Sequence, residues 1–199
     1  DLLFAGTETG VYLSWNGGKN WLPFQLNLPV TPITDLRVHQ GDLIAATSGR
    51  SFWIFDDLSL LRQFKPGISG FALFQPEAAM LVNGSSELNG SAPDFDGTNT
   101  EQGVNPATGA VIYYHLLKIN PADVLTLEIR DAQGNFIRSF SSEADSTFQT
   151  YDGDPSAEPV LNKNNGLNRF VWNLRCATAP GVRGGYIESS YSGHKVTQG

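Results

Sequence analysis

Cysteine is almost missing from this sequence. Among 199 residues only Cys176 is present, so no internal disulfide can form and no thiolate set exists to hold zinc. Basic residues are also scarce, 13 Lys and Arg against 20 Asp and Glu, and they are scattered rather than clustered. Wrapping a nucleic acid requires grouped cations that displace phosphate counterions, and a net charge of -7 opposes it; an anionic membrane surface is disfavoured for the same reason. No apolar run approaches the ~20 residues that cross a bilayer, so membrane insertion is not expected. The opening residues "DLLFAGTETG" carry neither a basic stretch nor a signal-type apolar core. His39, His115 and His194 lie far apart, with no His-any-any-His spacing and no nucleophile elbow, so no Ser-His-Asp arrangement is assigned. Cys176 follows "WNLR" without a neighbouring histidine or basic cluster and reads as an inert, half-buried thiol. Neither Gly17-Gly18 nor Gly184-Gly185 sits in a strand-to-helix phosphate loop. The sequence therefore implies no metal and no cofactor.

What is present is a series of short β strands. A hydrophobic content of 40% with 17% charged residues suits a packed protein. From Asp1 to about Phe64 the runs "LLFAGT", "GVYLSW", "WLPFQL", "ITDLRVH", "DLIAATS" and "SFWIFDD" are separated by Gly, Pro, Asn or Asp, and helical periodicity is absent. Two of these stretches, "DLLFAGTETGVYLSW" and "DLIAATSGRSFWIFD", share a frame: Asp-Leu, an apolar strand, Thr, a Gly-containing turn, then an aromatic strand. Self-similarity within ~40 residues is what propeller blades show. Between two strand runs lies "SWNGGKNW", Ser14 to Trp21. Its Asn-Gly-Gly centre supplies the positive φ values of a tight hairpin, Ser14 can bond the loop backbone, and Trp21 can pack beneath it.

Ser14, Asn16, Gly18 and Trp21 fit the Asp-box pattern of Ser/Thr, any, Asp/Asn, any, Gly, any, any, Trp/Phe. The stretch from "FAGTETGVYLSWNGGKNW" through "LPVTPITDL" to "ATSGRSFWIFDDL" resembles the closing blades of bacterial BNR-repeat proteins, sortilin-like or glycosyl-hydrolase-like propellers. Asn16 stands where Asp is commoner and keeps the side-chain acceptor. The resemblance implies that this box is a fold-stabilising turn away from the sugar-binding end of the propeller. It also implies export to the periplasm, cell surface or exterior.

Residues 65–109 are rich in Gly, Ser, Pro and Asn and read as a long connection between domains, with "GFALFQPEAAML" as an extended strand or a short helical turn. From Ala110 the strand signal returns. In "VLTLEIRDAQGNFIRSF", Leu125, Leu127 and Ile129 alternate with polar residues, Asp131 to Asn135 turn the chain, and Phe136-Ile137 begin the return. Phe170 and Trp172, two apart in "GLNRFVWNLR", point into a sandwich core. With "GVNPATGAVIYYHL", these segments resemble the Ig-like module that follows the propeller in the same bacterial proteins. The expected organisation is all-β: propeller blades over 1–64, a linker over 65–109 and an Ig-like sandwich over 110–199. The resemblance further implies a Pro-Gly-any-Tyr hairpin after "YSGHKVTQG", so a truncated sandwich is expected, with open sheet edges that invite self-association.

Candidate chemistry is sparse. A sialidase would need an arginine cluster, an acid and a Tyr/Glu pair; Arg37, Arg50 and Tyr12 are the nearby residues, and no spacing selects them. Asp56 and Asp57 are adjacent and point to opposite faces of a strand, so they cannot flank a glycosidic bond as a pair and read as a strand end that caps the next segment. Arg50 and Trp53 in "SGRSFWIFDD" are the ligand-binding candidates, facing a sugar or an anionic group; an ion pair with a blade carboxylate would equally account for Arg50. "DFDGTNTE", Asp94 to Glu101, and "YDGDPSAEP" carry too few fixed oxygen ligands for calcium. The expectation is a non-catalytic binding or structural segment whose partner is a glycan, peptide or protein. The alternative is part of a glycosyl hydrolase whose acids lie in other blades.

Overall fold

The computed structural model describes residues 1–65, 67–79, 107, 109–146, 157–179 and 191–196. The calcium-like stretch Asp94–Glu101, Asp152 with Asp154 of the second such loop, and Gly184-Gly185 lie outside the described residues. The chain divides into two compact units.

The first unit holds residues 1–68 and Phe74–Glu77. β1 (Leu3–Thr7), β2 (Gly10–Ser14) and β3 (Leu22–Pro23) form an antiparallel sheet in that order, and β4 (Ile33–His39), β5 (Asp42–Thr47) and β6 (Phe52–Phe55) form another. The two self-similar stretches are the β1–β2 and β5–β6 hairpins. Alternation sets the inward face: Val11 and Leu13 on β2, Leu43 and Ala45 on β5, all buried in one apolar cluster. Burying a leucine of this kind contributes about 1.5–3 kcal/mol. Phe24 links the sheets, edge-on to Phe55 at 5.1 Å and tilted against Phe4 at 6.0 Å. Gly6 is required where β1 approaches the start of β4, since a Cβ there would lie 2.7 Å from Ile33 Cγ2.

The expectation that this region lacks helix is corrected by α1 (Leu58–Gln63). Six residues are too few to display a 3.6-residue period, and the only local signal was the carboxylate before it. Asp57, with φ 62°, accepts from the Ser59 and Leu60 amides at 3.0 and 3.3 Å, capping the helix that buries Leu58, Leu60 and Leu61.

The second unit holds residues 69–73 and the described chain from Gly109 onward. β7 (Ala72–Leu73), β8 (Ala110–Leu116) and β11 (Gly166–Trp172) form an antiparallel sheet in the order β11-β8-β7; β9 (Thr126–Arg130) and β10 (Phe136–Ser141) form a hairpin. Ala110, Ile112, Tyr114 and Leu116 of β8 meet Phe170 and Trp172 of β11 and Phe140 of β10 in one core, with Leu125, Leu127 and Ile129 at its margin. The β9–β10 turn is organised by Asp131, whose carboxylate accepts from the Gln133 and Asn135 amides at 2.9 and 2.7 Å and from the Asn135 side chain at 2.8 Å. Hydrogen bonding from Asn135 above all holds the Asp131 carboxyl below its usual range. Buried Asn168 is satisfied by the Asn164 backbone on both its amide atoms, at 2.7 and 3.0 Å.

Antiparallel strands therefore build both units, and the all-β expectation stands with one short helix added. The stretch expected to be a bare connection contributes structure where it is described. β7 pairs with β8 through Ala72↔His115 and Leu73↔Tyr114, and buried Phe74 stacks on Phe64 with centroids 6.3 Å apart. Within "GFALFQPEAAML", Ala72–Leu73 is strand and the other described residues are neither helix nor strand.

Candidate functional site

The eight residues from Ser14 to Trp21 close the β2–β3 hairpin, with Leu13 opposite Leu22. Ser14 Oγ donates to Asn16 Oδ1 at 3.0 Å and accepts from the Gly18 amide at 2.9 Å, while Asn16 Oδ1 accepts from the Asn20 amide at 2.9 Å. Gly17 and Gly18 supply φ values of 69° and 88° that side-chain-bearing residues rarely adopt. The Trp21 ring lies over Gly18 and remains 40% exposed. The neighbouring indole is differently employed: Trp15 Nε1 donates to the Leu61 carbonyl of α1 at 3.0 Å, and its ring tilts against Phe64. One indole thus ties the hairpin to the helix, and the other stays open to solvent.

Asn16→Ala removes an acceptor used by two donors and is expected to cost about 1 kcal/mol, whereas Asn16→Asp, which keeps the oxygen, is expected to stay within about 0.5 kcal/mol of wild type. Urea unfolding followed by circular dichroism separates the two; equal losses would show that the side-chain oxygen does not hold the turn.

Around this turn lies an open recess of about 620 Å3 lined by Trp15, Asn16, Lys19, Asn20, Trp21 and Leu22. It combines two indoles with an ammonium and two amides. Sequence reasoning does not single out Lys19 and Asn20; the signal available is the pair of indoles bracketing polar residues within eight positions.

The other candidate residues occupy separate places. Arg50 is exposed on the β5–β6 turn, where its amide donates to Thr47 Oγ1 at 3.1 Å. Trp53 packs against the core cluster, and its Nε1 donates to the Arg50 carbonyl at 2.8 Å, so its polar atom serves the turn. Phe52 and Ile54, on the opposite face of β6, are the exposed apolar residues there. Arg37 pairs with Asp35 along β4 at 3.4 Å, and Tyr12 sits in β2 opposite Ala5 and Pro23. No family model, curated protein or solved structure matches this chain.

Carboxylates do gather in the first unit. The Asp57 amide donates to Asp42 Oδ1 at 3.1 Å, and Glu77 comes close enough to Gly41 that a Cβ there would stand 3.1 Å from its Oε1. Burial, then the charge and hydrogen bond of Asp57, then the charge of Asp42 push the Glu77 carboxyl up, with Arg62 opposing. A raised carboxyl takes up a proton more readily in the folded state, so its ionisation subtracts stability as pH rises through that range. Among the described residues no group of three or more His, Cys, Asp or Glu has an arrangement fit for a metal ion, and no helix is long and apolar enough to cross a membrane.

The reading of Cys176 as a thiol without a histidine is corrected. Its Sγ lies 3.2 Å from His194 Nε2, the two segments being brought together as an antiparallel ribbon.

Proposed function

We propose that this chain is a non-catalytic glycan-binding segment of an exported BNR-type propeller protein, its first unit formed of blades and its second an Ig-like module. The observation that carries the binding reading is the recess beside Trp21. Ligand sites combine an apolar wall with a few convergent polar groups, and sugar rings present C–H faces to indoles while their hydroxyls meet amide and ammonium groups. Trp15 and Trp21 supply the wall; Asn16, Lys19 and Asn20 supply the polar groups. The BNR resemblance points sugar binding to another part of a propeller, so this placement rests on the recess alone. The Asp-box hydrogen bonds and the repeated hairpin frame support the blade reading.

A glycan and peptide array probed with the 199-residue chain tests this. Trp21→Ala, at an exposed position, is expected to weaken binding of the best glycan about tenfold or more, on the order of 1.4 kcal/mol, while Arg50→Ala leaves it unchanged. Binding untouched by Trp21→Ala but lost in Arg50→Ala would move the site to the β5–β6 turn. Peptide binding alone, or none, would sink the glycan reading.

A further inference from the structure

Residues 174–179 and 191–196 run antiparallel in the second unit. The Val196 amide donates to the Leu174 carbonyl at 2.9 Å, the Cys176 amide to the His194 carbonyl at 3.0 Å and the Ala179 amide to the Tyr191 carbonyl at 2.9 Å, with Arg175 and Lys195 paired between them. The Arg175 guanidinium adds a bond from Nη1 to the Gly193 carbonyl at 3.0 Å. Gly193 is required for this approach, since a Cβ there would fall 2.2 Å from the Cys176 carbonyl oxygen and 2.5 Å from that of Ala177. The ribbon therefore fixes both backbones beside each other. It sets Cys176 Sγ 3.2 Å from His194 Nε2, within reach of a sulfur hydrogen bond.

We infer that Cys176 and His194 form a thiol–imidazole pair that undergoes exchange with low-molecular-weight disulfides. A nucleophilic thiol needs a base in contact with sulfur, and access. His194 is the base. The neighbouring charged groups are otherwise engaged: alternation turns Arg175 and Lys195 to the other face of the ribbon, where the Arg175 guanidinium bonds the Gly193 carbonyl, and Arg138 of β10 donates from Nη1 to the Cys176 carbonyl at 3.1 Å while its other amino group pairs with Glu158. Cys176 is half-buried and the imidazole is exposed, so a small reagent reaches sulfur and solvent reaches the base.

In the exchange, His194 takes the Sγ proton and the sulfur attacks one sulfur of R–S–S–R. A new S–S bond joins Cys176 Sγ to the attacked sulfur, the original S–S bond of the reagent breaks, and the departing R–S⁻ thiolate takes the proton from the imidazolium. With a single cysteine in the 199 residues, this sequence offers no second thiol to resolve the product, so the mixed disulfide persists until an external thiol displaces it.

The 199-residue chain is treated with dithiodipyridine, and thiopyridone release is followed when folded and when unfolded in urea. At about pH 6, where an unassisted thiol is almost wholly protonated, the folded chain is expected to react about tenfold faster than the unfolded one; at about pH 9 the ratio should shrink toward one. His194→Gln should lower the folded rate at about pH 6 roughly tenfold and change it little at about pH 9, and Cys176→Ser should release nothing. A folded rate at or below the unfolded rate overturns the inference, as does a His194→Gln rate equal to wild type. If His194→Gln alters the circular dichroism spectrum, the folded-to-unfolded ratio of the wild type decides the matter.

Discussion

Replacing Arg138 with alanine is expected to cost the second unit about 3–5 kcal/mol, the range seen when a buried ionic network loses its central member. Arg138 is 5% exposed on β10, with its guanidinium 4.8 Å from the centre of the Phe140 ring. Nη1 donates to the Arg175 and Cys176 carbonyls, both at 3.1 Å, and Nη2 pairs with the Glu158 carboxylate. One side chain therefore joins the core strand to the segment that follows β11. The ion pair is the lesser part. Glu158 is 45% exposed on its side chain, so solvent screens it, and Glu158→Gln is expected to cost only about 1–2 kcal/mol. Losing the arginine leaves a cavity against Phe140 and strips both carbonyls of their donor, which is why the two variants should differ.

The pH dependence separates the contributions. Burial works against ionised Glu158, but hydrogen bonds from Thr178 and Arg138 and the charge of Arg138 outweigh it and hold the carboxyl below its usual range. A depressed carboxyl stabilises the fold above the ordinary glutamate range, and that contribution is lost as pH falls through the folded-state value. The wild type should lose stability on acidification through this window, and Arg138→Ala should lose less there, having already forfeited the partner. Hydrogen exchange of the β8, β10 and β11 amides, measured at neutral pH and again in acid, reads both effects. A cost below about 1 kcal/mol in Arg138→Ala would mean that packing around Phe140 closes without the guanidinium.

What could be read from the sequence was local. Leu125, Leu127 and Ile129 alternate strongly enough to announce β9, and Asp131 with Asn135 carries the chemistry of its own turn. The Ser14-Asn16-Gly18 turn is nearly as self-contained: the hydrogen bonds of the Ser14 and Asn16 side chains span four residues or fewer, and only backbone and indole groups of the turn reach farther, the Gly17 amide to the Asp1 carbonyl and Trp15 to Leu61. Features that needed distant partners were not legible. Arg138 shares a strand face with Phe140, yet nothing nearby in sequence reveals Glu158 as its acceptor. Cys176 and His194 are brought together only by ribbon pairing, and spacing alone assigned the thiol no base. Helix α1 fell between the two cases: its cap is local, but the three leucines that bury it become informative only once a core exists for them. Trp53 shows the same division: its aromatic character is plain in the sequence, but that its ring packs against the core and its N–H closes the turn displaying Arg50 depends on the paired strands.

Leu13→Ala is expected to destabilise the first unit by about 3–4 kcal/mol, the sum of lost transfer free energy and an incompletely collapsed cavity. Leu13 is 0% exposed on the central strand of its sheet, opposite Phe4 on β1 and Leu22 on β3. Its neighbours are fixed on every side by the paired strands and by the same cluster that takes in Leu58 and Leu61 of α1. Leu26→Ala, at a position 67% exposed, should stay within about 0.5 kcal/mol and controls for leucine loss as such. The loss should also reach the helix. A six-residue helix has no stability of its own, so α1 persists only while its leucines have a core and Leu61 receives the Trp15 N–H. In Leu13→Ala, exchange protection of the α1 amides should therefore fall in step with that of β2. Protection retained in α1 while β2 opens would show that the helix is held by another part of the unit, such as the Gln63 side chain, which accepts from the Gln75 amide at 2.8 Å and donates to its carbonyl at 2.9 Å.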